Sequence, residues 1–191
     1  MKDIVLASAS PRRLELLKQI GITFRVIPSD IEEKVDDCLP AGIVAENLAF
    51  EKAVSVAKQI KSDTLVIGAD TIVVKDRILG KPQSEENAFE MLKSLSGSWH
   101  EVITGVTVVD CLTMEYRRQH EITRVKMREL SESTINAYVG TGEPVDKAGA
   151  YGIQGIGAVL VERIEGCYFN VVGLPLTRLV GMLEDYNVKV L

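Results

Sequence analysis

Ile4-Val5-Leu6-Ala7-Ser8-Ala9-Ser10-Pro11-Arg12-Arg13 reads as a strand, a turn and the start of a helix in direct succession. The run at 4–7 is apolar throughout, as in a buried strand. Leu14, Leu16, Leu17 and Ile20 follow at helical spacing. Ser10 is expected as the N-cap, because its hydroxyl can accept from a free backbone N–H of the first turn. Pro11 suits the first helical position, where no donor is needed. Arg12 and Arg13 then face the positive end of the helix dipole, at a cost of ~0.3–1 kcal/mol each if exposed. Hydroxyls, free N–H groups and two guanidinium groups thus converge on one point, and a phosphate would satisfy them. A capped surface helix whose arginines find carboxylates elsewhere fits the same residues equally well.

Outward from this stretch, strands and helices alternate. Residues 23–27 read as a second strand, and an acidic stretch with Glu32, Glu33, Asp36 and Asp37 follows. Pro40 opens a long helix to about residue 60, with Val44, Leu48, Val56 and Ile60 on one face and Lys52 within the same stripe. A lysine there either snorkels or projects into a cleft. The apolar run 65–69 is expected as a buried strand that Asp70-Thr71 interrupts and 72–74 resumes. Lys75-Asp76-Arg77 reads as a turn, and Ser84 caps a helix ending near Ser96-Gly97. Residues 102–109 and 116–127 then read as paired strands. Thr123, Val125 and Met127 face inward, and the basic residues between them face solvent. Ser131 opens a helix to about Gly140. Residues 158–164 and 168–172 are expected as strands, and a last helix spans about 175–186. This order indicates an α/β or α+β protein with a mixed sheet.

The 191 residues carry a net charge of −5, which argues against a general nucleic-acid or membrane-surface binder. The three cysteines, Cys38, Cys111 and Cys167, show no disulfide or metal-ligand pattern, as expected in a reducing compartment. No segment reads as a secretion signal or a membrane span, so a cytoplasmic protein without membrane or nucleic-acid partners is expected. Common P-loop, dinucleotide, zinc-protease and nucleophile-elbow motifs are missing. His100 and His120 stand alone and are expected as packed or surface residues.

The remaining candidates are carboxylates, cations and one glycine-rich segment. Asp70 is expected at the carboxyl end of its strand, where sites of α/β sheets gather. There it could hold a hard cation, take a proton from water, or simply close a turn. Glu32 and Glu33 could add a second carboxylate or be an acidic solvated loop. Lys52 and Lys81 could touch phosphate. Gly149, Gly152 and Gly155 would let backbone approach a ligand, and Gln154 among them offers the donor and acceptor that a base edge needs. Together these residues suit a nucleotide-binding enzyme that uses Mg²⁺ or Mn²⁺.

Leu6-Ala7-Ser8-Ala9-Ser10-Pro11-Arg12-Arg13, Gly68-Ala69-Asp70-Thr71, Gly80-Lys81-Pro82, the block from Asp146 to Gly155 and Val172-Gly173-Leu174-Pro175 resemble the Maf family. These proteins are nucleoside triphosphate pyrophosphatases, also called septum formation inhibitors. The resemblance implies one Maf-like domain over 1–191 with an elongated mixed-sheet α/β fold of the inosine triphosphate pyrophosphatase type, two lobes flanking a central cleft. It implies cleavage of a nucleoside triphosphate to the monophosphate and pyrophosphate. Asp70 matches the catalytic proton acceptor. Arg12, Thr71 and Gln154 match the positions that set substrate choice in the dTTP and UTP branch. Glu33, Lys52 and Lys81 match further active-site positions. A divalent cation, Mg²⁺ or Mn²⁺, would be held by Asp70 and Glu33. Ser8, Ser10, Arg13, Lys52 and Lys81 would bind phosphate. The resemblance also implies a homodimer. The alternative of a different class is a nucleotide-sensing module that restrains septum formation through a partner, using the same cleft without turnover.

Overall fold

A computed structural model describes residues 2–32, 35–36 and 38–190. Strand β1 (Asp3–Leu6) leads through the Ser8–Ser10 turn into helix α1 (Pro11–Gln19). Strand β2 (Arg25–Val26), helix α2 (Ala41–Ala57), strands β3 (Thr64–Val74) and β4 (Ile78–Leu79), and helix α3 (Glu85–Leu95) follow. The long strands β5 (Trp99–Asp110) and β6 (Tyr116–Met127) come next, then helix α4 (Glu132–Val139). Three short 3-10 segments (Glu143–Asp146, Ala148–Ala150 and Gly155–Leu160) lead to strand β7 (Val161–Glu165), helix α5 (Tyr168–Val172) and helix α6 (Leu176–Glu184). The sheet runs β2-β1-β3-β5-β6-β7, with β4 paired to β3. Strand β1 is parallel to both β2 and β3, whereas β3–β4 and β6–β7 are antiparallel, so the sheet is mixed as expected.

The chain divides into two compact units. The first comprises Met1–Asp70, Thr104–Glu121 and Gly173–Leu191. Its core includes Val5, Val66 and Val109 from strands, Ala7 from the turn after β1, and Ala53, Val56 and Ala57 from α2. The second comprises Thr71–Ile103 and Ile122–Val172. Its core is built from larger side chains, among them Leu92 and Leu95 of α3, Met127 of β6 and Ile135 and Tyr138 of α4. Removing one such leucine side chain costs about 2–5 kcal/mol. In β6, Thr123, Val125 and Met127 are buried, Ile122 and Arg124 are exposed and Lys126 is half-buried, which follows the expected alternation.

Three expectations about strands fail. Asp70-Thr71 does not interrupt β3, which continues unbroken from Thr64 to Val74. An aspartate in an apolar run reads as a break, but here its charge is met from outside the strand. Asp70 is therefore not at the carboxyl end of its own strand, as expected, but beyond the end of the neighbouring one: β1 stops at Leu6, opposite Ile67. Residues 168–172 form α5 rather than a strand. A short apolar run cannot be assigned by periodicity. The buried Asn170 amide settles it by donating to the Val102 carbonyl (2.9 Å) and to Thr123 Oγ1 (2.9 Å). Residues 158–160 belong to a 3-10 segment, and only Val161–Glu165 is strand.

Candidate active site

Helix α2 carries a second small-residue stripe, Ala45, Ala49 and Ala53, four residues apart and fully buried. It faces two glycines on strands. A Cβ on Gly68 would strike the Ala49 carbonyl oxygen and the Ala53 methyl group, and a Cβ on Gly105 would strike the backbone of Ala45. Glycine at both points therefore lets helix backbone rest on strand backbone. Asp70 shares a face of β3 with Gly68, and Lys52 is one position before Ala53. The close approach consequently places the Lys52 ammonium against Asp70 Oδ1 in a direct ion pair. Both residues are buried, at 8% and 6% exposure. Burial makes each charge dependent on the other: losing one partner of such a pair costs about 3–5 kcal/mol.

The turn before α1 is tied by its own polar groups. Ser8 Oγ accepts from the backbone N–H of Ser10 (3.2 Å) and from Arg13 Nη1 (3.3 Å). Arg13 Nε donates to the Gly173 carbonyl (2.8 Å), which anchors the helix start to the Val172–Pro175 motif. Ser10 occupies the N-cap position but makes no side-chain capping bond. Ser84 and Ser131 do cap α3 and α4, accepting from Asn87 and Thr134. Arg12 and Arg13 are half-buried. Neither reading of the arginines is complete: Arg13 binds a carbonyl and a hydroxyl of the protein, and still stands beside Ser8.

In the second unit, Thr71 and Gln154 are half-buried and Lys81 is exposed. The backbone N–H of Gly149 donates to the Gly80 carbonyl (3.0 Å), joining the glycine-rich segment to the residue before Lys81. The glycines themselves face protein. A Cβ on Gly149, at φ +68°, would lie 2.9 Å from Val73 Cγ1, and one on Gly152 would lie 2.9 Å from Lys147 Cε. Their density thus has a packing cause that needs no ligand. Below the segment, His100 Nε2 and the Tyr151 hydroxyl hydrogen-bond at 2.6 Å in the core. Burial, with Lys75 adding repulsion, pushes His100 down to about 4, and burial pushes the Tyr151 hydroxyl up.

The structure therefore joins Lys52 to Asp70, and Ser8 to Ser10 and Arg13. Glu33 lies outside the described residues. Among the described residues no three His, Cys, Asp or Glu side chains cluster as a metal site. A single buried carboxylate still suits Mg²⁺ or Mn²⁺ where substrate phosphates complete the shell. No helix among the described residues is long and apolar enough to cross a membrane. Sequence reasoning missed the Gly173 carbonyl as the anchor of Arg13, and Ala45-Ala49-Ala53 as the stripe that docks α2. The i, i+4 alanines opposite strand glycines were the available signal for the second.

Residues 3–186 match the family described as Maf-like protein. A dTTP/UTP pyrophosphatase of Acetivibrio thermocellus is 57% identical over 197 residues, covering 100% of this chain and 98% of that protein. A dTTP/UTP pyrophosphatase of Alkaliphilus oremlandii is 52% identical over 186 residues, covering 97% of each. Among solved structures, the HAM1 protein from Coxiella burnetii superposes with a TM-score of 0.54 at 16% identity, over 84% of this chain and 81% of that one. The shared fold is the mixed-sheet α/β architecture that the motifs imply.

Proposed function

This chain belongs to the Maf-like family, and from that membership and the buried Lys52–Asp70 pair we propose that it hydrolyses dTTP and UTP to the monophosphate and pyrophosphate. Modified pyrimidine nucleotides fall within the same proposal. Two relatives above 50% identity across essentially the whole chain, both dTTP/UTP pyrophosphatases, support the substrate class. The observation that carries the chemistry is a carboxylate buried beside an ammonium on a rigid strand.

Asp70 accepts a proton from the water that attacks the α-phosphorus; the bond to the bridging oxygen breaks and pyrophosphate leaves. A carboxylate has about four lone-pair sites, so the contact with Lys52 does not exhaust it. Lys52 holds the carboxylate in one orientation. Arg12, Arg13, Lys52 and Lys81 offset charge on the leaving pyrophosphate. Ser8 and Ser10 position phosphate oxygens, while Arg12, Thr71 and Gln154 sort the substrate. Asp70, with Glu33, would hold a divalent cation, Mg²⁺ or Mn²⁺, which when bound polarises phosphoryl oxygens and neutralises developing charge. The proposal places the protein in the cytoplasm and includes a homodimer, which sedimentation equilibrium would report.

The test is product analysis with purified protein and Mg²⁺ across UTP, dTTP, CTP, GTP and ATP. Pyrophosphate and monophosphate from UTP and dTTP are expected. Release of orthophosphate, or binding of nucleotide without turnover, would overturn the reading. The second outcome would favour a nucleotide sensor that acts through a partner.

A further inference from the structure

The segment that carries Gln154 is held by a network that the motif pattern does not disclose. Glu143 opens a 3-10 turn just after α4, and its carboxylate folds back on the segment. Oε2 accepts from the backbone N–H of Ile156 (2.9 Å), and Oε1 accepts from that of Gly157 (3.0 Å). The Tyr138 hydroxyl, from α4, donates to Glu143 Oε1 (2.9 Å) and accepts from the backbone N–H of Gly152 (3.3 Å). Tyr138 is only 3% exposed, so its ring fixes where that hydroxyl stands. The Lys147 ammonium closes the other side by donating to the Glu143 carbonyl (2.6 Å) and to Asp146 (2.7 Å). Gln154 thus sits between backbone groups restrained on both sides, at 152 and at 156–157.

Two glycines make room for this arrangement. At Gly155, whose φ is +69°, a Cβ would lie 2.8 Å from Glu143 Oε2. At Gly157 it would lie 2.6 Å from the Tyr138 hydroxyl and 3.1 Å from Glu143 Oε1. The carboxylate is charged at neutral pH: burial opposes the charge, but the two amides, the Tyr138 hydroxyl and Lys147 outweigh it and hold the group below its ordinary range. Two backbone donors and a phenol on one carboxylate make a directional clamp on three peptide groups.

We propose that Glu143 and Tyr138 are positioning residues for nucleotide selection: by pinning Gly152, Ile156 and Gly157 they set where the Gln154 amide presents itself to the base. This inference rests on the reading of Gln154 as the group that sorts the base. The clamp touches no substrate. It acts by removing alternative loop conformations, so that an ill-fitting base edge meets a fixed amide rather than an adaptable one.

The test measures kcat and KM for UTP, dTTP, CTP and GTP in Glu143→Gln, Tyr138→Phe, Gln154→Ala and the double variant Tyr138→Phe with Gln154→Ala. Glu143→Gln keeps the shape but replaces one acceptor oxygen with an NH₂ donor, leaving one loop N–H unmatched. Tyr138→Phe keeps the packed ring and deletes only the bridging hydroxyl, so it covers the case in which Glu143→Gln folds poorly. In each single variant the kcat/KM ratio of UTP over CTP should fall roughly 2- to 10-fold, the range for one ordinary hydrogen bond. The loss should lie in KM for UTP rather than in kcat. In the double variant the ratio should match Gln154→Ala alone, because both changes remove one function. A purely structural role would lower kcat equally for all four nucleotides and leave the ratio unchanged, which would overturn the proposal. If Gln154→Ala alone shifts selectivity, the base-reading assignment stands even when the clamp fails. If only the clamp variants shift it, selectivity does not run through Gln154, and both the base-reading assignment and the proposal are overturned.

Discussion

Lys52 and Asp70 in the first unit and the 143–157 segment in the second solve opposite problems. The first region buries two full charges against each other on a helix and a strand whose backbones touch. The second holds an irregular segment by hydrogen bonds to its own peptide groups, with the Glu143 carboxylate at the centre. Removing either partner of a buried ion pair takes away the main group that offsets the other's charge. A net of several bonds loses one member at modest cost. Substitutions in the first region should therefore strike turnover and folding, and those in the second should strike selectivity and the response to acid.

The largest effect expected is at Asp70. Asp70→Asn keeps the shape and removes the proton acceptor, so kcat/KM for UTP should fall roughly 10²–10⁴-fold. Turnover within threefold of the parent, in protein shown to be folded by circular dichroism, would remove Asp70 from the chemistry. Lys52→Met comes next. It leaves the Asp70 carboxylate buried without its ammonium, and urea unfolding should show a loss of about 3–5 kcal/mol. A loss below 1 kcal/mol would mean that the pair is solvated and that the contrast between the two regions is false.

Where the sequence was legible, the cause is local. Ser84 and Ser131 were readable as caps because a cap needs only residues within one turn. The hairpin at Lys75–Arg77 and the alternation in β6 were readable for the same reason. The continuity of β3 was not, because the group that permits Asp70 inside a strand sits on α2, 18 residues away. The clamp on Gln154 was likewise hidden, since Glu143 meets its N–H donors 13 and 14 residues later. The candidate site residues were named as residue types, through the motif resemblance. Their partners were not, because partnership is a property of packing.

His100 tests the second region through acid. Its pKa falls from 6.5 in the unfolded chain to about 4 in the folded one, by burial first and Lys75 second. The unfolded state therefore binds the proton first as pH drops. The stability that neutral His100 contributes is fully present above pH 6.5 and is lost as pH falls toward 4, by roughly 2–3 kcal/mol. His100→Gln removes the titrating group, so its unfolding free energy should vary less between pH 6.5 and 4.5 than that of the parent. Identical slopes would show that His100 is not desolvated beside Tyr151 in the folded protein.

The smallest effect contrasts two serines at equivalent helix positions, Ser10 in the first unit and Ser84 in the second. The Ser84 hydroxyl accepts from Asn87, so Ser84→Ala should cost about 1 kcal/mol by urea unfolding. Ser10 sits at the same kind of position, yet its side chain makes no capping bond. Ser10→Ala should cost only a few tenths of a kcal/mol, the usual level of substitutions that remove no structural contact. Local rules fail where a group is held for another purpose, and the N-cap serine among the described residues that does not cap its helix stands in the turn assigned to phosphate. Ser10→Ala should accordingly raise KM for UTP while leaving the unfolding midpoint in place. The reverse pattern, an unshifted KM with a cost equal to that of Ser84→Ala, would return Ser10 to ordinary capping and take the hydroxyl out of the phosphate site.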